Sequence, residues 1–294
     1  MPSSTTTRAS HRLLLRAAAA RAKRRYRDTA GRPSQTNGFS SQAGLRRRPW
    51  LQRLRRALAD DLFLLHFQPI VSLLDGRVSH FEALVRLADE PHGRLVGPGN
   101  FLPAAERYGL VREIDRLVLG KVLALLAEDR VEYGANIAIN VSTLSVTDGA
   151  MLTHIERGLA RRGVDPSRLI VEVTETAAIS DMARARAFCE GVQACGCSVA
   201  LDDFGSGFGS FQYLKQLPFD FLKIDGGFIR SLPVSRTDQL VVKALADVVR
   251  GMGRLTIAEF VGDGATLTLL RDYGVDYAQG FAVGRPAARA AVPA

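Results

Sequence analysis

Eight polar residues interrupt the apolar runs of this 294-residue chain at points where strands would end: Glu82, Asn140, Glu172, Asp202 with Asp203, Lys223, Glu259 and Gln279. Most of them are carboxylates or amides. Gathering such groups away from bulk water is costly unless a counter-charge accompanies them. A hard divalent cation of the Mg²⁺ or Mn²⁺ type supplies that charge, because it prefers carboxylate and amide oxygens over thiolates and imidazoles. The five histidines fit this choice, since none lies in these strand-end motifs. One acid at a strand end is more often a helix N-cap or an ion-pair partner. Seven successive strands that each contribute such a residue are hard to explain that way.

The elements that must position them follow from the pattern of apolar runs. From Trp50 onward, short runs occur at 63–73, 79–87, 135–142, 168–175, 197–203, 219–225, 254–260 and 275–281, which makes eight candidate strands. Helix-length segments such as Val111–Asp129, Asp148–Arg162, Asp181–Ala194, Thr237–Gly251 and Ala265–Tyr273 separate most of them. Strand-helix alternation at this spacing predicts βαβ units and a parallel sheet, and eight strands predict its closure into a TIM-like (β/α)8 barrel. The first two runs are joined by only about five residues with Asp75-Gly76 as a turn signal, too few for a crossover helix. One strand is therefore expected to run antiparallel. In such a barrel the strand C-termini converge on one face, where catalytic groups sit.

Charge divides the chain in two. The formal net charge is +9, yet residues 1–58 carry 15 basic and 1 acidic residue, so the remainder is net acidic at −5. Residues 1–48 read as a basic, low-complexity N-terminal extension, disordered or partly helical over LLLRAAAARAKRRYR, with Gly31-Arg32-Pro33 as its terminator. A charge run alone specifies no partner, so the extension reads first as a solvated tail or an over-extended start. The same composition fits an organellar transit peptide or a tail that touches anionic lipid or nucleic acid electrostatically. The main domain is expected over 49–289 and a short tail over 290–294. Three cysteines within Cys189–Cys197 form no C-x2-C pair, which argues against a disulfide framework or structural zinc and for idle thiols in a cytoplasmic protein. No apolar run reaches the roughly 18 residues of a membrane span. The Gly-rich stretch Phe204–Gly209 lacks the G-K-[ST] ending of a phosphate-binding loop and signals no helix start directly after it, so it is read as a mobile segment beside the cluster.

FEALVRL (81–87), AINVS (138–142), VEVTET (171–176), LDDFGSGFGSFQYL (201–214), LKID (222–225), AEFV (258–261) and QGF (279–281), in this order, resemble the motifs of the EAL-domain cyclic di-GMP phosphodiesterases. The match runs from about Leu51 to Pro286. The resemblance implies hydrolysis of cyclic di-GMP to linear pGpG with one or two Mg²⁺ or Mn²⁺ ions. It makes Glu82, Asn140, Glu172 and Asp202 ligands of one metal, with Asp202 bridging to a second that Asp203 and Glu259 help bind. Lys223 would orient the attacking water, Glu259 would act as base when one metal is bound, and Gln279 would position water or substrate. Arg86 resembles the family's phosphate-contacting arginine, Gln68 a substrate-pocket residue, and Glu175 the acid that braces the loop after Asp203.

Some positions depart from the family pattern. Phe260 and Gly262 replace the Gly and the second Glu of an AEGVE motif, Leu87 stands where Trp is common, and Gly227 where Ser is usual. None of these removes an assigned ligand or base. The resemblance also implies a homodimer. The same motifs leave open an alternative, a catalytically silent cyclic di-GMP receptor.

Overall fold

A computed structural model describes residues 47–89, 93–205 and 211–289. The helix-like stretch expected in the N-terminal extension, most of the Gly-rich loop and the last five residues lie outside these. The described residues fall into two compact units, one of residues 47–64 with Arg86–Phe101, the other of Leu65–Val85 with the described residues from Leu102 on. No helix among the described residues is long and apolar enough to cross a membrane.

In the smaller unit, helix α1 (Arg47–Ala59) buries Leu54 and Ala57, three residues apart and so on one helical face. Phe63 and Phe101 pack with ring centroids 5.5 Å apart, and Ala88 N donates to Leu62 O at 2.9 Å.

Strands β1 (Phe63–Ser72) and β2 (Val78–Asp89) begin the sheet, and their inner parts belong to the larger unit. The hairpin between them turns at Gly76, which has φ of 73°, while Asp75 Oδ1 accepts from Arg77 N at 3.1 Å. Then come β4 (Asn136–Val141), β5 (Leu169–Thr174), β6 (Ser198–Phe204), β7 (Phe221–Ile224), β8 (Leu255–Ala258) and β9 (Tyr277–Gln279), in the order β1-β9-β8-β7-β6-β5-β4-β2 with a β1–β2 pairing that closes the ring. All neighbours from β2 through β9 along this ring run parallel, and β1 meets β9 antiparallel with Ile70 opposite Gln279. The eight-stranded, TIM-like barrel with one antiparallel strand is the architecture the spacing predicted.

The helices show why the chain alternates as it does. Helix α10 (Arg236–Gly251) buries Val242, Leu245, Ala246 and Val249, an i, i+3, i+4, i+7 stripe, and starts where Ser235 Oγ accepts from Asp238 N at 3.2 Å. Asp181 caps α7 (Met182–Ala194) and Asp263 caps α11 (Gly264–Asp272) in the same way. These are acids in the structural role that isolated strand-end acids most often have.

Several local expectations need correction. A ninth strand, β3 (Arg94–Val96), pairs antiparallel with the outer end of β2, Leu87 opposite Val96; three residues carry too little alternation to be read from sequence. The helix expected over Asp148–Arg162 is α5 (Ala150–Arg162), and Gly149, with φ of 72°, separates it from a short preceding helix, α4 (Thr143–Asp148), where no helix was expected. A short helix, α8 (Phe211–Gln216), does follow the Gly-rich segment, where no helix start was expected. Three more helices bear on the site: α3 (Val111–Ala127), α6 (Glu175–Ser180) and α9 (Gly226–Ile229).

Inside the barrel, two depths are occupied by residues two apart on the same strands, as the pleat requires. The lower layer is a floor: Ala138, Ile170 and Ala200 cluster with Phe221, whose ring meets His80 and Tyr277 at 5.5 and 6.0 Å. Two residues further along the same six strands stand Asn140, Glu172, Asp202, Lys223, Glu82 and Gln279.

Candidate metal centre and active site

Lys223 organises this upper layer. Its Nζ lies 2.9 Å from Glu259 Oε1, 3.0 Å from Glu172 Oε2, 3.0 Å from Asp202 Oδ1 and 3.6 Å from Glu82 Oε2. Four carboxylates from four strand ends therefore surround one ammonium, and Lys223 itself has no exposed surface. Asn140 Nδ2 donates to Glu82 Oε1 at 2.6 Å, and Gln279 Nε2 donates to Glu82 Oε2 at 2.5 Å and to Gln68 Oε1 at 3.3 Å. Gln68 in turn donates to Gly284 O at 3.1 Å, so the structure places it as the support of Gln279.

Asp203 reaches the same cluster through a backbone irregularity. Successive strand residues point to opposite faces, so Asp202 and Asp203 should not both serve one site. The pairing of β6 with β7 slips between Leu201 and Phe204, and Asp203 takes φ of 57°. A bulge of this kind re-aims a side chain, and aspartate tolerates the left-handed region better than most residues. As a result, one oxygen each from Asp202, Asp203 and Glu259 lie within 4.8 Å of one another.

Charge makes the cluster incomplete. Five carboxylates (Glu82, Glu172, Asp202, Asp203, Glu259) and one ammonium leave a formal net of −4 when all are ionised. The strain shows in proton affinity. Burial pushes Glu172 well above the usual carboxylate range despite Lys223, and burial together with Asp202 pushes Glu259 up to about 8. Burial and Asp202 likewise raise Asp203. Glu82 is held low: burial pushes it up, but Lys223 and the amides of Gln279 and Asn140 outweigh that. Burial disfavours the Lys223 ammonium, yet the four acids keep it protonated well above its ordinary range.

Buried Glu172 Oε1 and Gln279 Oε1 have no hydrogen-bond partner among the described residues. Buried oxygens are rarely left unpaired. An all-oxygen donor set with excess negative charge and unpaired acceptors fits one or two hard divalent cations, and no thiol or imidazole competes.

The remaining expected residues fall as follows. Glu175 is buried at the start of α6, and its Oε2 accepts from Gly205 N at 3.2 Å; residues 206–210, the rest of the loop it was expected to brace, lie outside the described ones. Arg86 is half-buried on the outer part of β2 and belongs to the smaller unit. One residue escaped the sequence reading. Asp115 on α3 accepts at Oδ2 from Ser142 N, Ser142 Oγ and Ser145 Oγ at 3.1, 2.6 and 2.7 Å, which anchors the turn two residues after Asn140. Ser142 as a helix cap was a readable signal, but its partner on another helix was not. The idle-thiol reading agrees with burial, which pushes Cys189 and Cys197 up to about 12.

Comparison with known proteins points one way. The EAL domain profile matches residues 51–286. The chain is 38% identical over 239 residues to cyclic di-GMP phosphodiesterase PdeB of Shewanella oneidensis, a match covering 81% of this chain and 28% of that protein. Among solved structures, the PaMucR phosphodiesterase in complex with c-di-GMP superimposes with a TM-score of 0.76 at 36% identity, over 81% of this chain and 97% of that one. The Xanthomonas citri FimX EAL domain in complex with c-di-GMP gives 0.75 at 33% identity, over 82% and 94%. The chain spans 28%, 31% and 35% of the lengths of three curated relatives it matches.

Proposed function

The chain belongs to the EAL-domain family, and from that premise we propose that it is a metal-dependent phosphodiesterase that opens cyclic di-GMP to linear pGpG. The observation that carries the reading is the shell of Glu82, Glu172, Asp202 and Glu259 around Lys223, with every ligand-type residue of the family motif present. Glu82, Asn140, Glu172 and Asp202 would hold one Mg²⁺ or Mn²⁺, and Asp202, Asp203 and Glu259 a second. Bound there, the cations supply positive charge to the phosphodiester oxygens and make water a better acid.

The chain's own groups do the rest. Lys223, held as an ammonium, places a proton donor at the centre of the site and offsets charge that develops on the phosphoryl oxygens. When a single cation is bound Glu259 is free of that ligand role, and its raised proton affinity suits a group that takes a proton from water near neutral pH. Gln279, supported by Gln68, presents its unpaired Oε1 as an acceptor that orients a water or a substrate hydroxyl. In the overall step a water oxygen bonds to phosphorus, one phosphorus–ribose oxygen bond breaks, and the proton ends on the ribose oxygen that leaves. The six-residue floor beneath keeps bulk water from entering from below.

The test is to incubate purified protein with cyclic di-GMP and Mg²⁺ or Mn²⁺ and to resolve the products by chromatography. We expect pGpG with either ion and inhibition by Ca²⁺, whose longer bonds and looser geometry displace the oxygens. Tight binding of cyclic di-GMP without turnover under any of these ions would overturn the enzyme in favour of a receptor.

A further inference from the structure

Glu259 is followed by two residues that each press against a glycine of a neighbouring strand end. A Cβ on Gly226, just after β7, would stand 2.7 Å from Phe260 Cγ and 2.9 Å from Phe260 Cβ, and inside contact with Cδ2. Because Phe260 Cβ is itself among the atoms met, a rotation of the ring cannot make room. On the other side, a Cβ on Gly280, just after β9, would stand 2.8 Å from the Val261 carbonyl carbon and closer still to its oxygen and nitrogen. Phe260 holds φ of 53°, a left-handed conformation that is unusual for a bulky residue. Its ring is covered by the Arg230 guanidinium, 4.2 Å from the centroid. The segment is tied on both flanks: Glu259 N donates to Ile224 O at 3.2 Å, and Val261 N to Gln279 O at 3.0 Å.

We propose that Phe260 and Gly226 act as one positioning unit for Glu259. The ring seated on Gly226 holds the left-handed turn at 260, and that turn aims the Glu259 carboxylate at Lys223 and toward the oxygens of Asp202 and Asp203. A side chain at 260 is therefore tolerated only where residue 226 lacks a Cβ, and the two positions must change together. The assignment rests on the proposed role of Glu259 in holding cations.

The experiment compares the parent, Gly226→Ala, Phe260→Gly and the double variant. Mn²⁺ affinity is read by calorimetry, melting temperature without metal, and kcat and KM with cyclic di-GMP. In the parent background Gly226→Ala should weaken Mn²⁺ binding by about tenfold or more and lower kcat with KM nearly unchanged, as expected when ligand orientation is lost. In the Phe260→Gly background the same Gly226→Ala change should alter Mn²⁺ affinity by less than about threefold, the signature of a coupled pair. Equal effects in the two backgrounds, or none in either, would overturn the unit. If Gly226→Ala alone fails to fold, recovery of a folded, Mn²⁺-binding double variant supports the coupling, and a double variant as damaged as the single one refutes it. A parent that binds no Mn²⁺ would instead overturn the proposed metal centre. The melting temperatures of the four proteins would then decide the coupling by the same criterion.

Discussion

The two layers of the barrel interior lie two residues apart on the same six strands and could hardly differ more. His80, Ala138, Ile170, Ala200, Phe221 and Tyr277 form a packed floor in which small alanines face large rings. Glu82, Asn140, Glu172, Asp202, Lys223 and Gln279 form a charged layer in which acids outnumber bases and some oxygens lack partners. Most residues of both layers are buried, with Phe221 and Tyr277 half-buried in the floor and Asn140 exposed in the layer above, so burial alone does not distinguish core from site. What separates them is uncompensated charge. The floor holds one imidazole, that of His80, whose Nε2 has no partner among the described residues, whereas the layer above carries an excess of negative charge that fits hard cations.

The same distinction separates acids from acids. Asp220, at the other end of the barrel, accepts from Val199 N at 2.8 Å and Gln193 Nε2 at 3.0 Å and pairs with Arg254 at 3.2 Å. Asp276 accepts from Thr256 N and Oγ1 at 2.7 and 2.8 Å. Asp220 is used at both oxygens and Asp276 at Oδ2 in tying adjacent strands. Glu172 has one oxygen on Lys223 and the other unpaired.

Breaking the charged layer at its centre should have the largest effect. Lys223→Met leaves four buried carboxylates uncompensated; turnover should vanish, and stability without metal should fall by about 3–5 kcal/mol in urea titrations, the usual consequence of stranding buried charge. Added Mn²⁺ should restore part of that stability, whereas an unchanged urea midpoint would mean the acids are already protonated and silent. Glu259→Gln should lower kcat by about 10²–10⁴-fold, the range of a lost general base, with an unaltered circular dichroism spectrum. Parental turnover in that variant would remove Glu259 from the chemistry.

Disturbing the floor tests whether it supports the layer above. Ala138→Leu should cost about 1–3 kcal/mol by overpacking. It should also weaken Mn²⁺ binding, because Asn140 is two residues away on the same strand; lost stability with parental Mn²⁺ affinity would show that the layers are mechanically independent. A separate test concerns pH. Burial, with Lys223 nearby, depresses His80 to about 3, against 6.5 when unfolded. A depressed folded value means that His80 contributes stability above pH 6.5 that is lost as pH falls toward 3. The melting temperature of the parent should thus drop more steeply between pH 6.5 and 4 than that of His80→Phe, and parallel curves would mean that His80 is not held neutral by the floor.

Much of this was legible in the residue order. The i, i+2 spacing of Phe221 with Lys223 and of Ile170 with Glu172 places each pair on one face of a strand, and the short Asp75-Gly76 link requires the antiparallel β1. Strands as short as β3 and helices as short as α8 were not legible, because three to six residues carry no period. The six-residue α4, set off from α5 by the left-handed Gly149, was not legible for the same reason.

By itself, then, the sequence determined which residue types stand at the strand ends and how they alternate with the floor, because that periodicity depends only on chain order and the pleat. Only the tertiary structure decided that four acids meet on Lys223, that a bulge brings Asp203 beside Asp202, and that Phe260 rests on Gly226. Those contacts join residues tens to more than a hundred positions apart or hinge on single backbone torsions. The closure and stagger of the ring set the former, and no local pattern encodes them.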